Sequence, residues 1–164
     1  MSDARFEDGG ETPLRLIARD GADLQVLSAL CQDAVMTGAD LRYNRARRRF
    51  SILLNRFRWE DEARARAAGR RYERVRSILD FSDVASVVHQ GLTRDGGTVL
   101  SLLAIEFTPA EPPEEGAAAG PGRVLLTFAG DGALALSVED LEVELSDVTR
   151  PYLAPSRHAP GHPG

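Results

Sequence analysis

Apolar positions recur along this chain with two different periods. Leu14, Leu16 and Ala18 alternate with Arg15, Ile17 and Arg19, the two-residue period of a short strand. Asp20-Gly21-Ala22-Asp23 then reads as a helix start, with Asp20 capping and Asp23 in the first turn. Leu24, Leu27, Cys31 and Val35 follow at helical spacing, joined by Val26, Leu30 and Ala34 on a widened face. Gly38 offers a C-terminal stop. The pattern predicts a helix over about residues 21–36 with Leu27 and Leu30 in the core.

Beyond the helix the period returns to two. Leu41 and Tyr43 begin a strand, Asn44 to Arg48 make a turn, and Phe50, Ile52 and Leu54 alternate with polar neighbours out to Trp59. Residues 60–71 permit a helix but carry no apolar stripe, so they read as a mobile excursion with at most a frayed turn. Val75, Ser77, Leu79 and Phe81 suggest a further strand, continued from Val84 to Val88 after a bend at Ser82-Asp83. A turn at Thr93–Gly97 feeds Val99 to Phe107, which is apolar on both faces as a central strand is. Val124, Leu126 and Phe128 lead through Ala129-Gly130-Asp131-Gly132 into Leu134, Leu136 and Val138, a hairpin by its turn chemistry. In residues 139–148 both periods fit, and Val143 at mid-segment favours the strand.

One helix followed by seven or eight strands predicts an α+β fold. Its form is one N-terminal helix packed on a predominantly antiparallel, strongly bent β-sheet or partly open barrel. The expected domain covers residues 13–150, with flexible tails at 1–12 and 151–164 and a disordered loop at 109–122, rich in Pro, Gly, Ala and Glu.

Composition fits this picture. A length of 164 residues suits one domain, and 43% apolar residues suffice for a core. No apolar run approaches the ~20 residues of a membrane helix, and the acidic N-terminus lacks the basic and apolar regions of a secretory signal. The expectation is a soluble cytoplasmic protein without membrane contact. The single cysteine, Cys31, permits neither an internal disulfide framework nor a cysteine-rich zinc site. On the apolar side of the helix it reads as a buried structural thiol.

Charge changes the picture more. There is no lysine, and 13 of the 20 arginines fall between Arg42 and Arg76 against four acids, so the middle of an acidic chain is strongly basic. Arg42, Arg45, Arg47, Arg48 and Arg49 crowd one hairpin, with Arg56 and Arg58 further along its second strand and Tyr43, Phe57 and Trp59 among them. Guanidinium forks match phosphate and carboxylate geometry, and exposed aromatics can stack on bases. Three readings stay open: an acidic protein surface or a second copy of the chain, a nucleic acid, or plain solvated surface. The overall pI near 5.2 weighs against nucleic acid. At the end of the strand, Asn55, Arg56 and Arg58 can be outer-face residues, with Phe57 and Trp59 covering the core.

Catalytic signatures are weak. The sequence has no Gly-rich phosphate loop, dinucleotide fingerprint, Gly-x-Ser-x-Gly elbow or His-Glu-x-x-His pair. His158 and His162 lie in the tail, leaving His89 without a named partner. Asp80 and Asp83 are close enough in sequence to share acid–base work, but acids alternating with apolar residues are also the wet side of a sheet. No catalytic residue, metal site or cofactor is assigned. The leading expectation is a non-enzymatic binding or adaptor module using the basic hairpin on an acidic partner, with Arg42, Arg45, Arg47, Arg48, Arg49, Arg56, Arg58 and Trp59 as binding residues. The alternatives are an enzyme using Asp80, Asp83 or His89, and an RNA-binding protein.

Several stretches together carry a family likeness: Pro13-Leu14-Arg15-Leu16; Asp23 to Leu30 with Gln32-Asp33-Ala34-Val35; Leu53-Leu54-Asn55-Arg56-Phe57-Arg58-Trp59-Glu60; Val99 to Ile105; and Leu125 to Gly130. In that order they resemble a family of small bacterial proteins, common in alphaproteobacteria and known only as domain of unknown function family number 2948. The resemblance covers about residues 13–158. It implies a stand-alone bacterial cytoplasmic protein and brings no activity, cofactor or catalytic residue with it.

Overall fold

A computed structural model describes residues 13–69, 73–92, 97–112 and 119–153. Among these the chain forms a mostly antiparallel sheet of eleven strands with two helices. Strand β1 (Arg15–Ala18) leads into helix α1 (Gly21–Leu30), followed by β2 (Val35–Thr37), β3 (Leu41–Asn44) and β4 (Arg49–Phe57). Helix α2 (Glu62–Ala68) precedes β5 (Glu73–Phe81), β6 (Val84–Gln90) and β7 (Val99–Pro109). The remaining strands are β8 (Gly122–Phe128), β9 (Ala133–Val138), β10 (Val143–Asp147) and β11 (Tyr152–Leu153). The order across the sheet is β1-β10-β5-β4-β2-β7-β8-β9-β6, with β11 added to β5 and β3 to β4. The path therefore ends in β1 and β6 and does not close.

Helix α1 starts as its sequence dictates, the Asp20 carboxylate accepting from the Asp23 N–H at 2.8 Å. Leu24, Leu27 and Ser28 are buried, and the Ser28 hydroxyl accepts from the Ile105 N–H of β7 at 2.9 Å. The helix is shorter than its periodicity predicts. Asp33 turns into the left-handed region at φ 64°, its N–H donates to Leu102 O, and Leu102 N–H donates back to Ala34 O. That exchange captures the chain for β2, so Val35 lies in a strand and Gly38 opens a 3-10 turn. Pairing with β7 overrides a helical period that local propensity only weakly enforces.

Other expectations also need correction. The excursion over residues 60–71 contains a 3-10 turn at Trp59–Asp61 and the ordered helix α2, whose residues are mostly Ala and Arg with Ala65 buried. Gly69 ends α2 at φ 67°. The expected loop at 109–122 falls between β7, which runs to Pro109, and β8, which begins at Gly122; Ala110 N–H donates to Pro121 O at 2.9 Å, and residues 113–118 lie outside the described residues. Gly122 is needed there, because a Cβ would come within 2.6 Å of Thr108 O. The expected C-terminal tail begins with β11, in which Tyr152 and Leu153 pair with Arg74 and Glu73 of β5. The turn expected at Thr93–Gly97 lies mostly outside the described residues, as do the tails 1–12 and 154–164.

The core joins the inward faces of both halves of the sheet. Phe50, Ile52, Leu54, Leu79, Phe81, Val143 and Leu145 meet Leu102, Ile105, Val124, Leu126, Leu134 and Leu136, and α1 adds Leu24, Leu27 and the adjoining Cys31. Burial pushes the Cys31 thiol up to about 12, which keeps it protonated and inert.

Candidate functional site

The arginines of the basic segment divide into two groups. In the turn between β3 and β4, Asn44 Oδ1 accepts from the Arg47 N–H and Arg48 takes φ 57°, and residues 44–47 are exposed. Arg48 then reaches Glu139 at 2.7 Å, and Arg49 pairs with Asp80, which also accepts from the Ser51 hydroxyl at 3.0 Å. Donation to Glu139 and to Asp80 raises the pKa of Arg48 and Arg49, and donation from Arg48 lowers that of Glu139. Arg42, Arg45 and Arg47 are exposed and make no ion pair among the described residues.

Arg56 and Arg58 are not outer-face residues. Arg56 is fully buried and Arg58 is 5% exposed. The two-residue period that turns Phe50, Ile52 and Leu54 inward turns Arg56 inward as well. On β5 the same period carries Val75, Ser77 and Leu79 to the core, and on β10 it carries Val143, Leu145 and Asp147. These inward faces bring Arg56, Ser77 and Asp147 together.

The Arg56 guanidinium donates to both Glu60 oxygens at 2.9 and 2.8 Å, to Asp147 Oδ1 at 3.0 Å and to Ser77 Oγ at 3.1 Å. The remaining Asp147 oxygen accepts from the Leu14 N–H at 2.9 Å. Burial alone disfavours charge on Arg56, but the hydrogen bonds and charges of Glu60 and Asp147 outweigh it and its pKa is raised. At Glu60 burial works against the carboxylate, and Arg56 prevails, holding it below the usual range. Arg58 pairs with Glu73 and lies 3.8 Å from Asp61. Trp59 packs edge-on against Phe57, with ring centres 4.6 Å apart, and its indole N–H donates to Gln32 O at 3.0 Å. Arg56 and Arg58 are thus buried with their ion-pair partners, and Trp59 is half-buried.

Sequence reasoning missed Ser77, Glu60 and Asp147 as the partners of Arg56. The signal was available in part: Arg56 shares the parity of three apolar residues on its own strand.

At the opposite end of β4 lies a broad cleft of about 1030 Å³ between β3 and β6. Its walls include Leu41, Arg42, Tyr43 and Arg45 on one side and Ala85, Val87 and His89 on the other, over Phe50, Leu92 and Leu134. None of its lining residues among those described is acidic. His89 is thus on a cleft, but Asp80 and Asp83 are not with it: Asp80 is bound to Arg49, and Asp83 forms the bend at φ 54° before β6. The three residues named for an enzymatic reading do not form one constellation.

An open antiparallel sheet, an internal ionic lattice and a basic hairpin beside a cleft define the molecule. The family model described as "Protein of unknown function (DUF2948)" matches residues 14–162, and the chain belongs to that family. No curated protein and no solved structure matches it. No helix among the described residues is long and apolar enough to cross a membrane.

Proposed function

We propose that this chain is a non-enzymatic binding module whose β3–β4 hairpin contacts an acidic partner. The observation that carries the reading is the division of the arginines. Four of the basic residues singled out by sequence serve the fold, while Arg42, Arg45 and Arg47 stand exposed at the rim of the cleft or beside it without a carboxylate among the described residues. Arginine forks placed in this way suit bidentate recognition of carboxylates. The binding set narrows accordingly to Arg42, Arg45 and Arg47, with Arg48, Arg49, Arg56, Arg58 and Trp59 as its support.

The test uses labelled polyglutamate and labelled single-stranded RNA with the full chain and with its Arg42→Glu, Arg45→Glu, Arg47→Glu variant. Polyglutamate binding that weakens with salt and is lost in the variant is expected, since exposed ion pairs are screened within ~10 Å at 0.1 M salt. Binding of RNA in preference, or of neither probe at low salt, overturns the acidic-partner reading.

A further inference from the structure

Two sheet edges face each other across the cleft. Among the described residues β3 pairs only with β4, and β6 only with β9. At one end the two edges touch: the Tyr43 hydroxyl donates to Val84 O at 2.8 Å, and the Val84 N–H donates to Arg48 O at 2.8 Å. Beyond that junction no ladder joins them, and the cleft opens between Leu41–Arg45 and Ala85–His89. Following the pairings from β3 through β4, β2, β7, β8, β9 and β6 returns to this gap. Among the described residues the sheet is interrupted at one place on that circuit.

On the basis of the acidic-partner reading, we infer that the cleft takes an extended acidic peptide segment of another protein as an added strand between β3 and β6. Exposed strand edges offer alternating N–H and C=O groups, and an incoming strand satisfies them at the usual spacing of about 4.8 Å. Side chains of such a segment alternate between the two faces. Those turned inward meet Phe50, Leu92 and Leu134, with His89 on the same face as its register partner Leu134, so they are mainly apolar; those turned outward meet Arg42, with Arg45 in the adjoining turn, so they are carboxylates. The recognised pattern is therefore apolar–acidic alternation.

Other occupants fit less well. A nucleic acid lacks a main-chain row to complement the edges, and the aromatic residues here give no stacking platform: Phe50 is buried and the Tyr43 hydroxyl is tied to Val84. A second copy pairing through β6 brings the sequence Val84-Ala85-Ser86-Val87-Val88-His89-Gln90, which carries no acid for the arginines.

The experiment selects displayed random peptides of about ten residues, long enough to span either edge, against the immobilised full chain. The enriched peptides are then synthesised with and without N-methylation at alternate amides. Expected are peptides alternating apolar and acidic residues, whose affinity falls at least about tenfold on N-methylation in the register that removes edge hydrogen bonds. Amides of Arg42–Asn44 and Ser86–Gln90 become protected from hydrogen exchange in the complex. Acidic peptides that tolerate N-methylation in both registers overturn strand addition while leaving the acidic-partner reading intact. Peptides whose binding ignores the Arg42→Glu, Arg45→Glu, Arg47→Glu substitutions overturn the acidic-partner reading itself. A concentration-dependent dimer of the free chain that excludes the peptides assigns the cleft to a second copy and also overturns strand addition.

Discussion

Ser77 on β5 and Asp147 on β10 are register partners, and the Ser77 hydroxyl donates to Asp147 Oδ1 at 2.7 Å while its oxygen accepts from Arg56 Nε. A hydroxyl both gives and takes hydrogen bonds, which lets it sit between guanidinium and carboxylate without leaving either unsatisfied. The same Asp147 accepts from Leu14 N–H, so this buried carboxylate ties β10 to the chain entering β1. Three strands and the N-terminal segment converge on one charge pair.

Breaking that pair is costly, because it strands the partner charge in the interior. Arg56→Met should destabilise the protein by about 3–5 kcal/mol, and Asp147→Leu by a similar amount. The double variant should lose clearly less than the sum, since neither buried charge then remains, while Glu60, with 28% of its side chain exposed, can turn to water. Urea unfolding of the four proteins at neutral pH measures the cycle. Additive losses would show that Arg56 and Asp147 stabilise through separate contacts.

Acid should release the lattice at Glu60. Its folded pKa lies below the ordinary value of 4.5, the direction set when Arg56 outweighs burial. A depressed carboxylate pKa contributes stability that is fully present above the unfolded value and lost as pH falls through the folded one. Wild type should therefore exceed Glu60→Gln in stability at neutral pH, with the difference shrinking below about pH 4.5 as Glu60 protonates first in the unfolded chain. Thermal melts of both proteins across the acid range check it. A difference that stays constant with pH would mean that Glu60 acts through shape and not through its charge.

Strands were legible wherever one face is apolar and the next polar, as in β4 and β9, because burial on one side imposes a period of two. The C-terminal limit of α1 was not, since it is decided by Leu102, about seventy residues away, bonding Asp33 and Ala34. Leu30 shows the consequence: it fits the helical face but is only half-buried, whereas Leu27 is buried completely. Helix α2 escaped notice because it buries little beyond Ala65, so no apolar stripe announces it. At the candidate site, arginine count was visible but arginine role was not. Role depends on which carboxylates of β5, β10 and their flanks come opposite, and those partners lie 31 and 91 positions away for Arg49 and Arg56.

That dependence makes charge reversal along the hairpin informative. Arg47, Arg48 and Arg49 are adjacent and chemically identical, yet Glu at each should act differently. Arg47→Glu removes no ion pair among the described residues and should leave the Tm unchanged. Arg48→Glu replaces an attraction to Glu139 by repulsion, but Glu139 is 64% exposed and both groups can move apart into water, so the Tm should fall slightly. Arg49→Glu faces Asp80, which is only 20% exposed and held in place by Ser51. That carboxylate cannot retreat as easily, and its neighbours on β10 include Glu144, so the Tm should fall most. Raising the salt concentration should narrow the gap between the three variants, because screening weakens both the lost attractions and the new repulsions. Calorimetric melts at low and high salt give the order directly. An equal effect for all three would show that their ion pairs do not distinguish them, and the division of the hairpin into supporting and exposed arginines would fall with it.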